Sequence, residues 1–238
     1  MREAVIVSTA RTPIGKAYRG AFNNTQGQEL AAHAIAQAVK RAGVDAAEIE
    51  DVVIGCALQQ GSTGGNVARQ ALLRAGLPVS VPGMTIDRQC SSGLMGIATA
   101  AKQIVDDGMQ IAIGGGVESI SLVQNDKMNR FRGADPWLVS NIPQIYMTMI
   151  ETAEIVAERY GVSREAQDEY SLQSQQRTAR AQAEGGYDAE IAPLTSVMIV
   201  ADKETGATSE KDVTLKLDEG NRPKTTLPDL QGLQPVFK

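Results

Sequence analysis

One thiol raises the first chemical question. In TIDRQCSSGLMG, positions 85–96, Cys90 stands between a short apolar run and a helix-like pattern that begins at Ser91. Its neighbours Asp87, Arg88, Gln89, Ser91 and Ser92 are polar. A cysteine at a helix N-terminus meets unpaired backbone N–H groups and the positive end of the helix dipole, and both favour thiolate over thiol. The same N–H groups can hold an oxyanion formed when the thiolate attacks a carbonyl. The small residues Ser91, Ser92 and Gly93 let a substrate approach the backbone. Against this stands the ordinary fate of a free cysteine, burial as an inert small hydrophobe. The local pattern leaves both readings open for Cys90. Cys56, in VVIGCALQ, fits burial.

A thiolate nucleophile normally works with a base. The single histidine, His33, falls with Gln37, Lys40 and Arg41 opposite the apolar stripe of a helical pattern. It reads as a solvated surface residue. The sequence therefore offers a nucleophile without an evident base. Two cysteines far apart give no disulfide framework and too few ligands for a metal cluster.

The elements that must position Cys90 follow from periodicity. Short β-branched or apolar runs at 4–10 (AVIVSTA), 51–59 (DVVIGCALQ), 83–87 (GMTID) and 109–119 (MQIAIGGGVES) read as strands. Between them lie helical patterns. The first, ELAAHAIAQAVKRAGV, puts Leu30, Ala34, Ile35, Ala38 and Val39 on one stripe, with Gly43 as its stop. The second, GNVARQALLRAGL, stops at Gly76 and Pro78, and the third runs from Ser91 to Val105. Strand–helix alternation implies βαβ units and an α/β fold, with a mostly parallel sheet flanked by helices. Cys90 then sits at the carboxyl end of a strand, where open α/β sheets place their sites.

This rhythm spans residues 1–120 and breaks after Ser121. A polar, irregular stretch with the only tryptophan, Trp137, precedes two helices, about 148–160 and 163–184, the latter capped by Ser163. Two strand-like pieces, SVMIVAD and VTLKLDE, follow. Residues 121–238 read as an inserted, α-rich second unit. The 238-residue chain is 42% hydrophobic and 21% charged, an ordinary globular composition. Its net charge of −5 gives no electrostatic reason to expect nucleic acid. No run is long enough for a membrane span or a signal peptide, so a cytoplasmic location is expected.

The motifs also resemble a known family. DRQCSSGL around Cys90 is similar to the nucleophile motif of the thiolases, the acetyl-CoA acyltransferases. ARTPIGKAYRGAF, GCALQQG, GNVARQALLRAGLP and GGGVESIS resemble successive thiolase segments, and TAEIVAERYGVSREAQDEYSLQSQQ resembles helices of the family's loop domain. Asp87 stands where many relatives carry Asn. The resemblance implies a thiolase-like first domain, incomplete over 1–120, and a loop domain over 121–238 with coenzyme A and oligomer contacts. It implies that Cys90 is acylated, in Claisen condensation of acetyl-CoA or in thiolysis of a 3-oxoacyl-CoA. Met149 would line the pantetheine channel and Arg222 would lie near the CoA nucleotide, although an arginine in a loop is equally well a solvated one. No cofactor beyond the substrate coenzyme A is implied, and no metal. The thiolase C-terminal half, with its histidine and second catalytic cysteine, has no counterpart in these residues. Turnover would need that half, and a homodimer, a higher oligomer or a complementary C-terminal half is the expected partner. The strand near Thr85–Asp87 would lie at the dimer contact. The alternative is a non-catalytic CoA-binding or assembly module. A ketosynthase-like condensing enzyme is a third reading, opposed by GGGVES and the loop-domain helices.

Overall fold

The computed structural model describes residues 2–237. The chain forms two compact units, Met1–Met128 with Asp188–Gly220, and Asn129–Tyr187 with Asn221–Lys238.

In the first unit, helix α1 (Gly27–Ala42) ends at Gly43, whose φ of 68° and N–H bond to the Val39 carbonyl close the helix as expected. Strand β1 (Asp51–Gly55) follows, then α2 (Val67–Arg74), β2 (Gly83–Ile86), α3 (Ser92–Val105) and β3 (Ala112–Gly116). The sheet order is β2–β1–β3 and both pairings are parallel. β1 is buried along its whole length, as a central strand between two helical layers must be.

The register sorts the two faces. Val52, Ile54 and Cys56 join Ala31, Ile35, Val67, Ala71 and Leu72 in the main core beneath α1 and α2. Val53, Gly55, Gly114 and Gly116 turn the other way, toward α3. Here the packing is backbone against backbone. A Cβ placed on Gly55 would lie 2.0 Å from the Ser92 carbonyl carbon, and one on Gly114 would lie 2.6 Å from Ile97 Cα. One on Gly96 would lie 2.7 Å from the Gly115 carbonyl oxygen. Only hydrogen fits in these places, so the glycines set how deeply α3 and its N-terminus settle onto the sheet.

The expected first strand, 4–10, is not formed. These residues pair with no strand, and Val5, Ile6 and Val7 are exposed. A strand exists only through ladder hydrogen bonds to a neighbour, and this segment faces a cavity instead of a backbone. It is anchored at its end. Arg11 N–H donates to the Glu190 carbonyl (3.0 Å), Ala192 N–H donates to the Arg11 carbonyl (2.8 Å), and the guanidinium holds Asp218 and Glu190, each at 2.8 Å. The hydrogen bond to Asp218 is the main reason the Arg11 pKa is raised. An antiparallel hairpin lies in this unit, β4 (Leu194–Ala201) with β5 (Thr208–Leu215); the expected SVMIVAD falls on β4, whereas the expected VTLKLDE overlaps β5 only at 213–215, because the strand is set by its pairing with β4. Leu194 packs on Ala21 and Phe22.

Short α4 (Ile120–Val123) closes the βα series, and the second unit is helical: α5 (Pro136–Asn141), α6 (Met149–Tyr160), α7 (Arg164–Ala183) and α8 (Leu227–Gln231). Thr148 and Glu151 form a capping box on α6, and Ser163 caps α7 by accepting from Ala166 N–H. Arg164 ties α7 to α8 by donating to the Leu230 carbonyl at 2.6 Å.

The glycine contacts give a direct stability test. Gly55→Ala must push α3 off β1 and is expected to cost about 3 kcal/mol, the scale of severe overpacking. Gly220→Ala, with nothing within 4 Å of its added methyl, is expected to change stability by less than about 0.5 kcal/mol. Urea unfolding of the two variants checks both.

Candidate active site around Cys90

β2 ends at Ile86 and α3 begins at Ser92. Five residues, 87–91, make the corner, and Cys90 is exposed on it. The turn is tight enough to force Gln89 to a φ of 49°. That left-handed conformation costs a non-glycine residue roughly 1–2 kcal/mol. A hydrogen-bonded brace offsets the cost. Asp87 Oδ1 accepts from Gln89 N–H at 2.7 Å. Ser92 Oγ accepts from Arg88 N–H at 2.8 Å and donates to the Gln89 carbonyl at 2.6 Å. Ser91 Oγ donates to the Arg88 carbonyl at 2.8 Å. Three or four such bonds at about 1 kcal/mol each exceed the strain.

Ser92 thus has a different part from the one its small size suggested. It is 4% exposed, locked under Gly55, and pins both sides of the turn. The sequence signal for this was present but weak: a serine at the first helical position, four residues after Arg88.

The corner leaves the Cys90 thiol without a hydrogen-bonded side-chain base among the described residues. The N–H groups of Gly93 and Leu94, in the first turn of α3, likewise meet no acceptor there. An exposed thiol just before a 14-residue helix whose first N–H groups have no acceptor among the described residues is an arrangement that can support nucleophilic attack on a carbonyl.

Cys56 is the contrast. It is buried, its thiol donates to Glu118 Oε1 at 3.5 Å, and Glu118 Oε2 accepts from Ala57 N–H at 2.9 Å. Burial first, and then the Glu118 charge, push its pKa from 9.0 up to about 11. The protonated thiol is therefore the form the fold prefers. Its contribution to stability is complete below pH 9.0 and is lost as pH rises from 9.0 toward 11. His33 lies in mid-α1 and is not the solvated residue expected. It is half-buried, and its Nε2 is buried without a partner among the described residues.

Met149 and Arg222 belong to the second unit, Cys90 to the first. Met149 is the first residue of α6 and is 71% exposed. Arg222 follows Asn221 in a loop fastened to α7: Asn221 Nδ2 donates to the Gln175 carbonyl (2.9 Å) and Arg222 N–H to Gln175 Oε1 (2.7 Å). The Arg222 side chain is exposed and borders a shallow cleft with Lys224 and Asp229. Among the described residues no group of three or more His, Cys, Asp or Glu could hold a metal ion. No helix among them is long and apolar enough to cross a membrane.

Two measurements follow. Ser92→Ala is expected to lower stability by about 1–3 kcal/mol through the orphaned turn groups, whereas Gln89→Gly is expected to raise it by up to about 1 kcal/mol by relieving the left-handed strain; thermal melts report both. Alkylation at pH 8 is expected to modify Cys90 and leave Cys56 untouched until urea is added, as read by peptide mass spectrometry.

The comparisons with known proteins agree along the chain. Residues 4–238 match the family described as "Thiolase, N-terminal domain". A 3-ketoacyl-CoA thiolase of Bacillus subtilis (strain 168) is 43% identical over 237 residues, which cover 100% of this chain and 60% of that protein. A 3-oxoadipyl-CoA/3-oxo-5,6-dehydrosuberyl-CoA thiolase of Escherichia coli (strain K12) is 42% identical, with 100% and 61% covered. The crystal structure of the Bacillus anthracis acetyl-CoA acetyltransferase superposes with a TM-score of 0.81 at 36% identity, covering 100% of this chain and 60% of that one. The chain thus spans about 60% of the length of these relatives.

Proposed function

We propose, on the premise that this chain belongs to the thiolase N-terminal domain family, that it supplies the acyl-accepting half of an acyltransferase acting on CoA thioesters. The observation that carries the reading is the exposed Cys90 thiol at the N-terminal turn of α3, beside the free N–H groups of Gly93 and Leu94. In the proposed step the Cys90 thiolate attacks the thioester or 3-oxoacyl carbonyl. A tetrahedral oxyanion forms against those N–H groups. It collapses to S-acyl-Cys90 with departure of the CoA thiolate or, in thiolysis, of the acetyl-CoA carbanion, which takes up a proton.

No side-chain base contacts the Cys90 thiol among the described residues. Proton transfer, and hence turnover, is assigned to a group outside these 238 residues, in the portion of the relatives that they do not cover. Coenzyme A is the only cofactor-like molecule the reading needs, and it enters as substrate. Met149, exposed at the start of α6, is proposed to meet the pantetheine arm. Arg222 is proposed to meet the nucleotide, since a guanidinium pairs with phosphate in bidentate fashion or stacks on adenine. A dimer and a cytoplasmic location belong to the same proposal. The unpartnered Cys90 thiol also favours a second reading, a CoA-binding or assembly module without chemistry of its own.

Acetoacetyl-CoA separates the two. With the C-terminal portion of the Bacillus subtilis relative added, peptide mass spectrometry is expected to find an acetyl group on Cys90 of the folded chain and none in Cys90→Ser. Absence of the adduct with that portion present overturns the enzymatic reading. For the binding residues, Arg222→Ala is expected to raise the Kd for coenzyme A about tenfold, the loss of one charge-assisted contact, in isothermal titration. An unchanged Kd removes Arg222 from the site.

A further inference from the structure

The cleft beside Arg222 is built from one short segment of chain. Arg222, Lys224, Thr225 and Asp229 line it. Thr225 N–H donates to the Arg222 carbonyl (3.1 Å) and closes a turn. Asp229 Oδ2 accepts from Thr226 N–H (2.9 Å) and from Thr226 Oγ1 (2.7 Å), which fastens that turn to the start of α8. Turn and helix are therefore one piece.

Apolar packing does little to seat this piece on α7. α8 buries no residue. In the 20 residues of α7 the only large apolar side chains are Tyr170 and Leu172, and Tyr170 is 72% exposed. The one buried residue of α7 is a carboxylate, Asp168. Polar ties at the two ends of the segment must set its place. At the near end, Gln175 accepts from Asn221 Nδ2 and from Arg222 N–H. At the far end, one guanidinium spans both helices. Arg164 Nε donates to both oxygens of Asp168 (2.9 and 3.0 Å), and Nη2 donates to the carbonyls of Leu230 (2.6 Å) and Leu233 (3.1 Å). Carbonyls at a helix C-terminus lack intrahelical donors, and a cation satisfies them well. A buried carboxylate needs a charged partner, so Asp168 in turn aims Arg164.

We infer that Arg164 is a positioning residue for the coenzyme A nucleotide: it holds α8 on α7, and through α8 it sets where the turn presents Arg222. The inference deepens the proposed function and rests on its assignment of Arg222 to the nucleotide. Lysine cannot replace arginine here. It keeps a positive charge for Asp168 but has a single nitrogen, which cannot bridge the carboxylate and both carbonyls.

The test is a double-mutant cycle on the whole 238-residue chain, with coenzyme A and pantetheine as separate ligands. Arg164→Lys is expected to raise the Kd for coenzyme A about fivefold, less than Arg222→Ala, and to leave pantetheine binding unchanged. In the Arg222→Ala background it is expected to add nothing, because residues that act through one another are not additive. Gln175→Ala, which cuts the other tie, is expected to behave like Arg164→Lys and keeps the test decisive if that variant misfolds. A merely structural role for Arg164 would weaken both ligands alike, and that result overturns the inference. So does an unchanged Kd for coenzyme A in Arg164→Lys beside a raised one in Arg222→Ala, which leaves the Arg222 assignment standing. Full multiplication of the two effects in the double variant overturns it as well. An unchanged Kd in Arg222→Ala, or no binding of coenzyme A to the native chain, removes the assignment and the inference together.

Discussion

The close approach of α3 to the sheet governs the rest of the first unit. Gly55, Gly96, Gly114 and Gly116 leave no room for a single methyl between helix and strands. Helix and sheet meet through backbone atoms, so neither can slide without steric clash. That contact fixes where α3 begins, and where α3 begins fixes Cys90. The opposite face is filled conventionally, by Val52, Ile54 and Leu72 with the alanines of α1 and α2. A chain with only 4% aromatic residues gains cohesion through many short contacts rather than a few large ones.

At the corner the constraint becomes chemistry. Because α3 sits so low, only five residues separate it from β2, and the turn closes through a left-handed Gln89. Ser92 lies in the same contact, buried under Gly55, and bonds both Arg88 and Gln89. Packing, turn strain and the placement of the thiol are one arrangement. Cys56, just past the carboxyl end of the central strand β1, shows the alternative: burial and the Glu118 carboxylate hold it as a neutral thiol.

Much of this was legible from the residues. The β-branched run of β1 and the Gly43 stop of α1 formed where periodicity placed them, and the polar bend before Ser91 is the corner. The run 4–10 carries an equally strong strand pattern and forms no strand, because pairing belongs to the neighbour as much as to the segment. Of the two late strand-like pieces the first falls on β4 and the second meets β5 only at 213–215, and no local pattern announced that the hairpin joins the first unit, where Leu194 packs on Phe22. Ser92 read as a small, permissive residue and turned out to brace the turn, a role that depends on what lies above it. Half-burial of His33 was hidden for the same reason.

The central proposal is that the glycine-seated corner, and not the cysteine alone, raises the reactivity of Cys90. The most direct measurement is the second-order rate of Cys90 alkylation by iodoacetamide at pH 7, taken by peptide mass spectrometry for the native chain, the urea-unfolded chain and Gly96→Ala. The account predicts that the native rate exceeds the unfolded rate, and that Gly96→Ala falls toward the unfolded value while still folded. A native rate equal to or below the unfolded rate would show that the corner displays the thiol without activating it, and would contradict the account.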